Sequence, residues 1–251
     1  MNYFRAPLLA CACLLLSAFT FAQAPRDLYK TASDQYKSSQ FEQAATSYEK
    51  ILAQGYPSPE VYFNLGNCYY KLNQIAKATL NFERAAKLSP EDEDIRHNLK
   101  LSELKTIDKI QPVPQLAVIT WWKEFTASYS SGGWAIYAVI FVWLALLAVA
   151  FSLFIGMKKI TATVGVLFFI LSVSFLMLSF QQKTREQNAS AAILMVSNSF
   201  IKSAPDFNGS NLFMIHEGVK FNILDQVGTW YKIRLADGKV GWLEKGSFER
   251  I

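Results

Sequence analysis

Apolar and polar positions follow one another along this chain in three different rhythms. From residue 24 to about 110, apolar residues such as Leu28, Ala32 and Tyr36 return every three or four positions, the spacing of helices with one buried face. Residues 134–155 and 160–180 then carry no charge at all. Each would form a helix about 32 Å long at roughly 1.5 Å per residue, enough to cross a hydrocarbon core. From 189 to 251 the pattern shortens to strand-like runs at 191–196, 219–224, 230–235 and 239–243, with Asp237-Gly238 as a hairpin turn. The pattern predicts a multi-domain membrane protein: a helical part, a two-helix transmembrane hairpin, and a small all-β barrel.

The helical part repeats itself at a spacing of 34, with Leu28 matching Tyr62, Tyr36-Lys37 matching Tyr70-Lys71, Ala44 matching Ala78 and Tyr48 matching Phe82. The second copy, with Tyr62, Leu65, Gly66, Tyr69, Ala78, Phe82, Ala85 and Pro90, resembles the tetratricopeptide repeat at every diagnostic position. Small residues stand where paired helices approach closely. Pro90 ends the second repeat, and the acids Glu91 to Asp94 suit the start of a capping helix with Ile95, Leu99, Leu101 and Leu104 on its apolar side. Repeats and cap occupy 24–110. Two repeats are fewer than an independent solenoid needs, so the cap, a membrane or a partner has to complete the burial.

Composition adds a location. The chain is 51% hydrophobic and 18% charged, with a net charge of +5, and no basic run is dense enough for a nucleic-acid partner. Residues 1–22 have the basic, apolar and small-residue parts of a secretory signal, with cleavage expected after Ala22; a lipoprotein reading at Cys11 fails because the apolar stretch before it is too short. Residues 111–133 read as a linker and interfacial segment, the Trp121-Trp122 pair suiting a lipid boundary, with a helix docked on the repeats as the alternative. The spans 134–155 and 160–180 leave only 156–159 as a turn. Lys158 and Lys159 mark that turn as cytoplasmic by the positive-inside rule. With the linker 181–188 and the barrel 189–251, this orientation places both soluble parts in the periplasm, on the outer side of the inner membrane.

Candidate chemistry is sparse. The only histidines are His97 and His216, and Cys68 is the one thiol beyond the signal segment. No nucleophile elbow, phosphate-cradling loop or metal-ligand spacing is present, so the expectation is a protein that is not an enzyme and uses no cofactor or metal. Cys68 reads as a packed small residue. Binding surfaces remain. Lys37, Asn64, Asn67, Tyr70 and Lys71 occupy polar helix positions that can hold an extended peptide by its backbone and termini, or else form a solvated face. In the barrel, Phe207, Phe213 and Trp230 are candidates for a ligand surface, although strand aromatics, Trp230 and Trp242 among them, are commonly core. Lys202 to Pro205, Leu212 to Gly218, Trp230 to Ile233 and Asp237 to Trp242 resemble the bacterial SH3-like domain in order and spacing.

The order of parts, with the cap's Asn98-Leu99, then Thr106, Asp108 and Ile110, then Trp121-Trp122, resembles the BatE aerotolerance proteins of Bacteroidetes-type bacteria. That resemblance implies a non-catalytic scaffold in a Bat-type system, with von Willebrand factor A domain membrane proteins as partners and a role in oxidative or envelope stress. The alternative is a cell-wall sensor or anchor whose barrel binds peptidoglycan peptides.

Overall fold

Among the described residues, five helices form the repeat part of the chain. In the computed structural model, which describes residues 26–154, 158–188 and 190–251, they are α1 (residues 26–37), α2 (Phe41–Ala53), α3 (Pro59–Lys71), α4 (Ile75–Leu88) and α5 (Glu93–Glu103). The expected signal segment 1–22 lies outside the described residues. Equivalent residues, 34 apart, turn the chain inside each repeat: Ser39 and Asn73 both take left-handed backbone, at φ 60° and 58°. Ser58 caps α3 by accepting from the Val61 N–H at 3.2 Å, with Pro59 in the first turn, where its missing N–H costs nothing. Asp92 caps α5, accepting from the N–H groups of Asp94 and Ile95.

Tyr48, Cys68, Ala78 and Phe82 are fully enclosed between the repeat helices. Gly66 is required there, since a Cβ would stand 2.7 Å from the Phe82 ring. The cap is less apolar than its sequence suggests: Ile95 is buried and Leu99 half-buried, but Leu101, on the side of α5 away from Ile95, and Leu104, just past the end of the helix, are exposed.

The linker region contains a short helix, α6 (Ala117–Ala127), followed by α7 (Ser131–Phe154) and α8 (Lys158–Asn188). Both long helices are apolar enough to cross a membrane and stay largely exposed along their length. Two expectations need correction. Residues 181–188 continue α8 as helix, because Gln, Lys, Thr, Arg and Glu are good enough helix formers to propagate an established helix. Lys158 and Lys159 open α8 instead of forming a separate loop, and residues 155–157 lie outside the described residues. The serines divide by position: the Ser172 hydroxyl donates to the Ala138 carbonyl at 2.8 Å and that of Ser179 to Ser131 at 2.8 Å, whereas Ser152, Thr163 and Ser174 bond within their own helices. Glu186 of α8 caps the start of α7, accepting from the Ser131 N–H at 2.9 Å and its hydroxyl at 2.7 Å. The two ends that lead to the repeats and to the barrel are therefore side by side.

Seven antiparallel strands follow: β1 (Ala191–Leu194), β2 (Asn198–Lys202), β3 (Asn211–His216), β4 (Lys220–Val227), β5 (Trp230–Arg234), β6 (Val240–Glu244) and β7 (Phe248–Arg250). Their order is β3-β2-β6-β5-β4-β1-β7. Leu194, Ile201, Ile215, Phe221, Ile233 and Leu243, one from each of six strands, share a single core, so the sheet is rolled around it. The Asp237-Gly238 turn joins β5 to β6, with Gly238 at φ 90°. Strands β2, β3 and β7 escape the sequence pattern; Phe200, Leu212 and Met214 point to solvent and spoil the expected alternation.

Candidate functional site

The first candidate surface is built on α3. Asn67, Tyr70 and Lys71 are spaced by three and four residues and so share one helix face. They line a cleft of 290 Å³ with Tyr36 of α1, Phe82 of α4, and Asn98 and Leu101 of α5. The Asn98 amide donates to the Asn67 Oδ1 at 2.7 Å. That pairing leaves the amide N–H groups of Asn67 and the carbonyl of Asn98 as one donor set and one acceptor, the complement of a peptide unit. The Lys105 ammonium sits 4.0 Å from the Tyr70 ring centroid, which adds positive charge near the rim.

Not every predicted residue joins the cleft. Asn64, one turn earlier, donates to the Tyr29 hydroxyl at 2.9 Å and ties α3 to α1. Lys37 is exposed and lies 3.9 Å from Asp34 on its own helix. Asn98 and Tyr36 were missed; Tyr36 is legible as the repeat equivalent of Tyr70, while Asn98 reaches the cleft only because α5 packs as a third repeat helix would. Cys68 is enclosed, and burial pushes its thiol up to about 12, the state of a packing residue.

In the barrel, Phe207 is 70% exposed and meets the buried Trp230 edge to face, their centroids 5.2 Å apart. The Lys202 ammonium donates to the Phe207 and Gly209 carbonyls, and Asp206 accepts from the Gly209 N–H at 2.6 Å, so the loop carrying Phe207 is held in place. Phe213 does not join this pair. It is half-buried against the barrel core, 5.8 Å from the Lys239 ammonium. Trp242 also stays half-exposed, with Lys232 above its ring.

The third feature is the junction between the repeats and the barrel. Ile193 of β1 packs on Ala76 and Leu80 of α4, with Met195 and Ile251 around them. Lys220 meets the nearly buried Glu83 at 2.6 Å. Arg84 donates to the Arg250 carbonyl at 2.8 Å, and Lys87 reaches the Ile251 oxygen. On the chain leaving the cap, the Asp108 carboxylate accepts from the His216 N–H at 2.6 Å and lies 3.1 Å from its ring Nδ1. Gly218, at φ 83°, lets Thr106 approach; a Cβ there would be 2.9 Å from its methyl group. The barrel thus covers a part of α4 that α5 leaves open and adds to the burial the cap provides. Ala76 and Leu80, one helical turn apart and outside the repeat's own small-and-large pattern, were the available signal. A 480 Å³ cavity at this junction is lined by Lys100, Glu103 and Lys220, and burial, with Glu83 nearby, raises the Glu103 carboxyl above its ordinary value.

Residues 197–249 match the bacterial SH3 domain family, and residues 59–92 match the tetratricopeptide repeat family. No curated protein matches the chain. Among solved structures, one similar chain is YrrB, described as a TPR protein with an unusual peptide-binding site, at 17% identity and a TM-score of 0.32, covering 71% of this chain and 88% of that one. The chain therefore contains a tetratricopeptide repeat and a bacterial SH3 domain, one helical and one antiparallel β, separated by two helices long and apolar enough to span a bilayer.

Proposed function

We propose that this chain is a non-enzymatic scaffold of the inner membrane that holds protein partners on the periplasmic side. The observation that carries the reading is the way the barrel docks. It takes the α4 surface, and the 290 Å³ cleft of Tyr36, Asn67, Tyr70, Lys71 and Asn98 contains no barrel residue, so one body presents an open peptide-sized cleft beside a fixed SH3 domain. The adjacent outer ends of α7 and α8, joined through Ser131 and Glu186, support a topology in which both soluble parts leave the same face of the bilayer. Lys158 and Lys159 at the other end support the cytoplasmic side for the tip. The resemblance to BatE-type proteins suggests a Bat-type aerotolerance complex, with von Willebrand factor A domain membrane proteins as the partners.

A photo-crosslinking residue at Lys71 in intact cells, followed by mass spectrometry, tests this. Membrane-protein adducts at Lys71, reduced when Asn67→Ala is added, are expected; crosslinks confined to lipid or to the chain itself would sink the scaffold reading. The exposed Phe207 favours a second reading, a barrel that binds peptidoglycan peptides. Retention of the protein on purified sacculi, lost on Phe207→Ala, is its mark. A reporter active only in the cytoplasm, fused after Arg185 or Ile251, should be silent at both sites.

A further inference from the structure

The short helix α6 has an unpartnered apolar face. Val118, Trp121, Trp122 and Phe125 recur at intervals of three and four, while Thr120, Lys123 and Glu124 stand on the opposite side. The four apolar side chains are 76%, 60%, 43% and 38% exposed, and none belongs to the core of the repeats or of the barrel. Their rings are mutually ordered: Trp121 stacks on Phe125 at 5.7 Å, with Trp122 5.9 Å from the same ring.

The depth of this helix is set by how it is fastened. Thr126 is 2% exposed; its hydroxyl accepts from the Arg185 guanidinium at 2.7 Å, and its carbonyl accepts from the Trp134 indole N–H at 3.2 Å. Phe125 continues the contact, 5.5 Å from the Trp134 ring. Arg185 and Trp134 stand where α8 and α7 change from apolar to polar, beyond Phe180 and near Ser131. The α6 face is therefore continuous with the exposed apolar surface of the spanning pair, at the level where that surface ends.

We propose that α6 lies along the headgroup boundary of the leaflet from which the repeats and barrel emerge, its aromatic face in lipid and Lys123 and Glu124 in water, a reading that rests on the membrane assignment of α7 and α8. Indole and phenyl rings suit that boundary because they bury an apolar body where polar tips stay wet. Residues 114–116 connect α6 to Val113, whose N–H donates to the Ala236 carbonyl of the barrel at 3.2 Å. A surface-bound α6 thus sets the height of the soluble body.

Nitroxide labels on the full chain in liposomes test this. Val118→Cys and Thr120→Cys are labelled one at a time, with Cys11 and Cys13 replaced by serine, Cys68 left enclosed, and Val149→Cys as the reference inside the span. Dissolved oxygen should collide with the Val118 label several-fold more, relative to a water-soluble nickel chelate, than with the Thr120 label. If nickel reaches Val118 and Thr120 equally while Val149 is shielded, α6 faces water and the proposal is overturned, with the membrane reading intact. A Val118 label immobile and shielded from both reagents means a protein covers the helix, which overturns it equally. Nickel reaching Val149 removes the membrane reading and the proposal together.

Discussion

Ile193→Asp should detach the barrel from the repeats without unfolding either. The pleat of β1 turns Ala192 and Leu194 into the barrel core and Ile193 to the opposite side, where it is fully enclosed against Ala76 and Leu80. Losing that burial costs about 1.5–3 kcal/mol. An ion enclosed at the same point adds several kcal/mol more in effective penalty, and the nearby Lys220 ammonium is already committed to Glu83. A total of at least ~4 kcal/mol shifts docking about a thousandfold, since each 1.4 kcal/mol is a factor of ten. Swinging the barrel away relieves all of it, because the new carboxylate then reaches water. Spin labels at Lys50→Cys and Lys245→Cys, both exposed sites, should give one narrow distance in the parent and a broad distribution with Ile193→Asp, while near-ultraviolet circular dichroism of the barrel tryptophans persists. Ile193→Val, which removes one methylene at about 0.5–1.5 kcal/mol, should stay docked. An unchanged narrow distance with Ile193→Asp would refute the argument that this contact holds the two parts together.

Three further outcomes follow from the repeats. Gly66→Ala should lower stability by about 1–3 kcal/mol in urea unfolding, because the added Cβ meets an enclosed Phe82 ring that has no room to retreat. Ser39→Gly should raise it by about 0.5–1 kcal/mol, as glycine takes the left-handed backbone at φ 60° without the strain serine carries there. Cys68 should resist a thiol reagent at pH 8 until the protein is denatured. Its raised pKa means that its contribution to stability is complete below the ordinary thiol value and is lost as the pH rises toward about 12, so the alkaline limb of a pH–stability profile should flatten in Cys68→Ala.

Local signals and distant ones divide this molecule. Period alone made the repeats legible, since Gly66, Ala78 and Phe82 answer to neighbours within the same two-helix unit, and the lack of charge from 134 to 155 and 160 to 180 marked the long helices directly. Half of the cleft was equally readable: Asn67, Tyr70 and Lys71 share a face because of their spacing. Strands β2 and β3 were not, because an edge hairpin with Phe200 and Met214 turned outward breaks the alternation by which strands are recognised. Asn98 entering the cleft, Asn64 leaving it for Tyr29, and Ile193 lying outside the barrel against α4 all depend on partners about 30 to more than 100 residues away. Helical and strand periods report which face of an element is apolar, whereas the identity of what covers that face is a property of packing between elements. Tertiary structure therefore decided that the barrel joins the cap in covering α4, because β1 meets that helix from more than 100 residues away along the chain.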